Sequence, residues 1–294
     1  MQAVDQHIAM ALNHYAGQLE QHFCCDLIAY MGPIYPMALT RYREVIEKLK
    51  TTPNTIPNFD KDKLVIVLTT PGGIVETVEK MVDITRHHYS DVSFVVPDMA
   101  MSAGTVWSMS GDRIWMDYAS SLGPIDPQVQ SQAANGGLVP ALGYIDKVNE
   151  FIGKANANQL SAAEVIMLKS LDLAELRRFE QARDLSISLL KHWLVAYKFK
   201  NWTTHRTTNP GTPVTQAEKE QRAEQIARDL MNNNKWNSHA RMISMEKLQK
   251  DLLLEIDDYS GIPALRDSVK IYNTLLSEFL GRQSSPMIIH SGRV

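Results

Sequence analysis

The sequence predicts an α/β protein, a layered core of parallel strands and helices continued by a helical C-terminal extension. Two observations point there. Apolar, β-branched runs recur at 26–31, 63–68 and 92–96, each the length of a buried strand. Between them lie segments whose apolar residues fall at helical spacing, the alternation that parallel strand pairing requires.

Taken in order, residues 5–23 read as an N-terminal helix. Residues 26–33 form a first strand closed by Gly32-Pro33, and 37–50 a helix. Residues 51–63 are polar and carry Pro53 and Pro57, which predicts a surface loop before the strand at 63–68. Helical spacing resumes from Ile74 to about His88, and Val92–Val96 is the third strand, stopped by Pro97-Asp98. A short strand is expected at 111–117. The Gly-rich stretch 130–137 is a loop where a lid over a site would lie. Helices follow at 139–154 and 161–169. Asp172 caps a longer one to about Lys200, and Thr215 opens another to about Met231. The last helices start near Ser244 and after Gly261-Ile262-Pro263, and the tail beyond is expected to be loose. Residues 1–200 are taken as the core and 201–294 as the helical extension.

Composition narrows the function classes. With 294 residues, 44% of them hydrophobic and 21% charged, the chain can bury a sizeable core. A formal net charge of −3 gives no electrostatic case for nucleic acid. No apolar run approaches the ~20 residues of a membrane span, and the N-terminus lacks a signal-peptide pattern; a cytoplasmic protein with no membrane anchor is expected. Cys24 and Cys25 are adjacent and read as a pair leading into the first strand, not as a staple. His7, His14 and His22 could share one helix face, yet no acidic or cysteine partner stands at ligand spacing, so no metal is expected.

Chemistry concentrates at two strand-to-helix corners 30 residues apart, Thr70-Pro71-Gly72-Gly73 and Met101-Ser102-Ala103-Gly104. A Gly-Gly corner offers unobstructed backbone N–H groups, as an oxyanion hole requires. A serine among small residues at a helix start suits a nucleophile, because substrate can approach closely and the free N–H groups face developing negative charge. Serine is also a favoured helix cap, which is the competing reading of Ser102. Neither G-x-x-x-x-G-K-[ST] nor G-x-G-x-x-G is present, so no nucleotide cofactor is expected.

The order Pro71-Gly72-Gly73, then Val96-Pro97 leading to Ser102-Ala103-Gly104-Thr105, then Ser120-Ser121-Leu122-Gly123-Pro124-Ile125-Asp126-Pro127-Gln128, resembles the serine dehydrogenase proteinase branch of the Clp-protease-like (Clp/crotonase) superfamily. The resemblance is strong from Leu64 to Gln128 and looser elsewhere. It implies a ββα superhelix and a serine endopeptidase without a cofactor. It implies homo-oligomeric assembly, peptide or unfolded protein as substrate, and a separate partner for any energy-dependent unfolding. By the same resemblance Ser102 is the nucleophile, and Gly72, Gly73 and Ala103 form the oxyanion hole.

The base is harder to assign. The Clp peptidase has a histidine where this chain has Asp126, 24 residues after Ser102. The branch is described with Ser, Asp and His in chain order. Asp126 fits the second member, although Pro-x-Asp-Pro is good turn chemistry in any protein. The third is sought among His192, His205, His239 and His290. His239 lies in Trp236-Asn237-Ser238-His239, which resembles the branch's W-x-x-H-x-x-x-I-[ST] segment, with a departure at Arg241-Met242. Signal-peptide-peptidase-like relatives use a serine–lysine dyad instead, and Lys147, Lys154 and Lys169 fall in the region where that base would come from. Two further readings stay open: a catalytically weak scaffold that binds peptide, and crotonase-like acyl-thioester chemistry.

Overall fold

The computed structural model describes residues 3–130, 138–205, 209–236, 238, 240–283 and 285–294. Helix α1 (Ala3–Phe23) leads into β1 (Cys25–Met31), and α2 (Ala38–Thr51) into β2 (Asp60–Thr69). Helix α3 (Val75–His88) follows, then β3 (Asp91–Val95), β4 (Met99–Ala100), α4 (Ala103–Ser108), β5 (Arg113–Met116) and β6 (Ser121–Leu122). Next come the paired strands β7 (Gln128–Gln130) and β8 (Leu138–Pro140), and helices α5 (Ala141–Asn156), α6 (Ala162–Lys169) and α7 (Leu173–Trp193). A π-helical turn (Leu194–Lys198) ends α7. The remainder is α8 (Gln216–Leu230), α9 (Asn233–Trp236), β9 (Ile243–Ser244), α10 (Met245–Lys250), β10 (Asp257–Asp258), α11 (Pro263–Gln283) and β11 (Ile288–His290).

Six strands form the main sheet in the order β10-β5-β3-β2-β1-β11. All neighbours are parallel except β11, which runs antiparallel to β1 with Ala29 opposite His290. Side chains alternate across the pleat, so each strand feeds two cores. Leu64, Ile66 and Leu68 of β2 face a layer built with α2, α3, α4, α7 and α8, whereas Val65 and Val67 face α1 and α11. Covered on both faces, the central strands contain near-continuous apolar runs.

Residues past 200 do more than add helices. They supply both edge strands of the main sheet, and β9 joins β6 in a second sheet of order β4-β6-β9. The tail expected to be loose is tied down instead. The His290 ring sits between the Tyr272 hydroxyl (2.8 Å) and Asn13 Oδ1 (3.1 Å), and burial pushes it down to about 4. Arg293 donates to Glu20 at 2.9 Å and to the Thr52 carbonyl at 3.2 Å, and it also pairs with Asp26. Both carboxylates are buried. A run of only three apolar residues gives little strand signal; the docking comes from these long-range polar partners.

Candidate active site

The two corners meet because the ends of β2 and β4 are bridged. Thr70 N donates to Met99 O at 2.9 Å and Met101 N to Thr70 O at 3.0 Å, which sets Thr70 beside Ala100 in parallel register. Closeness here depends on missing side chains. A Cβ on Gly104 would lie 2.3 Å from Thr70 Cγ2, and one on Gly72 would lie 2.8 Å from Met101 O and 2.9 Å from Ser102 Cβ. Gly72 also holds φ +105°, a conformation open to glycine and costly to other residues. Thr105 stitches α4 to the next segment, its Oγ1 2.8 Å from Ala100 O and accepting from Gly123 N at 3.0 Å. Behind it Trp107 is fully buried and meets Tyr30, Tyr42 and Phe94 edge to face. A six-residue helix is thereby held rigidly, although too short to be stable alone.

Ser102 occupies the cap position of α4 without capping it. Its φ of +51° and ψ of −115° lie outside the ordinary regions, and its side chain makes no hydrogen bond to the helix start. A non-glycine residue held there costs on the order of 1–3 kcal/mol. The hydroxyl turns instead toward the Asp126 carbonyl, 3.4 Å away, a long contact beside the ~2.7–2.8 Å usual for hydroxyl donors. The backbone amides around it are partly committed. Gly104 N donates to Met101 O at 2.8 Å, and the bridge between Gly73 and Ile34 uses Gly72 O and Ile74 N. Gly73's own amide therefore points away from Ile34, and the Ala103 amide is among the unpaired donors of a helix start.

Ser102, Ala103 and Gly73 line a cavity of about 420 Å³. Ile74, Val75 and Glu76 continue the wall formed by the start of α3. Ile125, Pro127 and Val129 form another, and α7 closes over them with Arg178, Gln181, Ala182 and Leu185. Asp126 is buried beside it. Its Oδ1 accepts from Leu142 N at 3.0 Å, at the start of α5, while its carbonyl faces Ser102.

A search against known families matches residues 23–210, which contain both corners, the cavity and α7, to the family described as ClpP-like SDH-type serine proteinase. The chain belongs to this family. Among curated proteins, two uncharacterized proteins of Methanocaldococcus jannaschii are similar. MJ1495 is 26% identical over 106 residues, 35% of this chain and 34% of the relative. MJ0137 is 30% identical over 99 residues, 33% and 32% respectively. The chain thus spans about a third of the length of the curated relatives it matches. Among solved structures, a lysine-to-alanine mutant of the 1510-N membrane-bound stomatin-specific protease in complex with a substrate peptide has a TM-score of 0.45 at 16% identity. That match covers 82% of this chain and 76% of the other.

In this ClpP-like chain the other residues singled out from sequence lie as follows. Lys147 and Lys154 are on α5, and both pair with Glu150. Hydrogen bonds that Lys154 donates to Glu164 and Glu150 push its ammonium up to about 12, opposite to the shift a lysine base needs. Lys169 is exposed at the end of α6. None of the three lines the cavity with Ser102. His192 is exposed on α7, His205 pairs with Glu218 at 3.2 Å, and His290 is committed to Tyr272 and Asn13. His239 lies outside the described residues, as does all but the first residue of the expected lid loop 130–137; Gln130 ends β7. The histidine's neighbours are anchored: Ile243 pairs with Leu122 across β9 and β6, and Ile125 N donates to Leu230 O at 3.0 Å.

Among the described residues no group of three or more His, Cys, Asp or Glu side chains is placed to hold a metal. None of the described helices is long and apolar enough to cross a membrane. Sequence reading missed the contribution of α7. Arg178, Gln181, Ala182 and Leu185 follow an i, i+3, i+4, i+7 stripe that grades from charged to apolar, a usable signal for a helix lying along a wet cleft.

Proposed function

We propose that the chain is a serine peptidase in which Ser102 attacks the scissile carbonyl of a peptide and forms an acyl-enzyme. One observation carries the reading: a serine held in a strained, left-handed conformation, uncapped, with its hydroxyl in a cavity beside Gly72 and Gly73. Strain of this kind is retained where the surrounding fold over-determines it, commonly at reacting groups. The hydroxyl oxygen bonds to the carbonyl carbon while its proton passes to the base, and the Gly73 and Ala103 amides receive the developing oxyanion. The base then protonates the departing amine, and water releases the acyl group by the same route.

His239 is the proposed base and Asp126 its orienting acid. The ties of Ile243 to Leu122 and of Leu230 to Ile125, both just before Asp126, support a base arriving from this part of the chain. Assembly as a homo-oligomer acting on unfolded or short peptides belongs to the same proposal, and light scattering tests the assembly.

A fluorophosphonate probe is expected to label the wild type and not Ser102→Ala. Equal labelling of both would overturn the mechanism. A peptide-binding scaffold is the second reading, since Asp126 stands where ClpP has its histidine. Peptide binding by a wild type that resists the probe would favour it.

A further inference from the structure

The cavity beside Ser102 carries an arginine that no other group in the described molecule engages. Three arginines lie on α7. Arg177 pairs with Glu180 at 3.0 Å and Arg183 with Asp184 at 2.9 Å, both on the helix itself. Arg178 has no acidic group within ion-pair distance among the described residues, and it is the one of the three that lines the Ser102 cavity. One turn further on, Gln181 offers hydrogen-bonding atoms to the same space, and beyond it the stripe turns apolar through Ala182 and Leu185. Among the described residues, the only other charged group on the lining is Glu76. It sits in the first turn of α3, where the helix dipole already favours a carboxylate, so its place has a structural reason. Arg178 has no equivalent.

A guanidinium presents a rigid fork of donors that matches a carboxylate through two parallel hydrogen bonds. Arg178 and Gln181 are exposed at the rim, and the cleft floor beneath them is largely apolar, so a carboxylate paired there is partly shielded from water and held more strongly than on open surface. We propose that Arg178 recognises a carboxylate on the peptide substrate, either an acidic side chain or a free C-terminus. The proposal rests on the peptidase reading for the position of the scissile bond. It deepens that reading by naming a substrate class: largely apolar peptides with a negative charge close to the bond that Ser102 attacks. Arg178 then sets specificity and takes no part in bond breaking. Glu76, on the α3 wall, repels a carboxylate bound the other way round and so helps fix the direction of the peptide.

The test uses the full chain carrying Ser102→Ala and a fluorescein-labelled apolar octapeptide in four forms. These have a central glutamate or glutamine, each with a free or an amidated C-terminus. Fluorescence anisotropy is expected to show one carboxylate, central or terminal, binding about tenfold tighter than the neutral form. Which one identifies the source. Adding Arg178→Gln should erase that preference and leave the affinity of the neutral peptide unchanged, whereas adding Glu76→Gln should keep it. Equal binding of all four forms, or an equal loss for neutral and charged peptides in Arg178→Gln, overturns the proposal. Fluorophosphonate labelling of the chain with native Ser102 separates the two levels. Labelling without a carboxylate preference removes only the specificity, and a carboxylate preference without labelling removes only the peptidase.

Discussion

Replacing Gly72 with alanine tests whether the glycine corner is set against the serine as closely as the geometry requires. The added Cβ would stand 2.8 Å from the Met101 carbonyl oxygen and 2.9 Å from Ser102 Cβ, both parts of a rigid backbone segment. Real Cβ contacts are not that short, so one corner must retreat from the other. The φ of +105° adds a cost of about 1–3 kcal/mol for any side chain, or a loss of about 2–5 °C in Tm for a chain of this size. The chemical cost is larger. Moving the oxyanion donors by about 1 Å relative to the hydroxyl costs about 10²-fold in rate. The assay is the second-order rate of fluorophosphonate labelling, with circular dichroism establishing that the variant is folded. Labelling within about a factor of two of the wild type in a folded, equally stable variant would refute the reasoning.

Other consequences follow from the same geometry. Ser102→Gly is expected to abolish labelling and yet unfold in urea with a stability about 1 kcal/mol above that of Ser102→Ala, because glycine relieves the φ of +51°. No gain over alanine would contradict strain at the serine. Asp126→Asn should keep the melting temperature, since an amide oxygen can still accept from Leu142 N. Asp126→Ala should lose about 1–3 kcal/mol by orphaning that buried amide. A fall in labelling of the folded asparagine variant would mark an orienting role for the charge.

Arg293→Met leaves the buried Glu20 and Asp26 without their shared cation, at a cost of about 3–5 kcal/mol near neutral pH. Burial already holds the Glu20 carboxyl above its ordinary 4.5, and loss of Arg293 raises it further. A raised carboxyl contributes stability at low pH that is lost as pH rises, so the deficit should narrow as pH falls toward 4.5. Urea titrations across pH measure it, and a flat deficit would contradict the account. Lys147→Met, Lys154→Met and Lys169→Met should each keep fluorophosphonate labelling while His239→Ala loses it; loss in a lysine variant would move the base to a dyad.

The parts of the fold legible in sequence are those whose signals are local. β1, β2 and β3 announce themselves as apolar runs because both sheet faces are buried along most of their length, and β5 shows a shorter run, Ile114-Trp115-Met116, after an exposed Arg113. Asp172 and Thr215 mark helix starts because their side chains accept from the amides two or three residues on. β10 is two aspartates, Asp257 and Asp258, with no strand propensity at all; only the open edge of β5 makes it a strand. β11 rests on a short apolar triplet that reads as loose tail, because its partner lies more than 250 residues upstream. At the site, both corners could be read because glycine and serine are needed there for steric and chemical reasons. For α7 the sequence offered only the graded stripe of Arg178, Gln181, Ala182 and Leu185; that this face lands on the cavity depends on how the connection after β8 returns to the core. The strain at Ser102 was equally hidden: a cap and a nucleophile are the same residue until the backbone angle is known.

The edge strands also say something about synthesis. Both borders of the main sheet come from residues 257 and 288 onward, so the four inner strands emerge from the ribosome long before anything can cover them. A nascent chain halted before Ile288 presents β1 with an unpaired, apolar rim, the kind of template on which strands from other chains nucleate aggregates. Truncation of this chain just before Ile288 should therefore yield insoluble product out of proportion to the loss of one short strand.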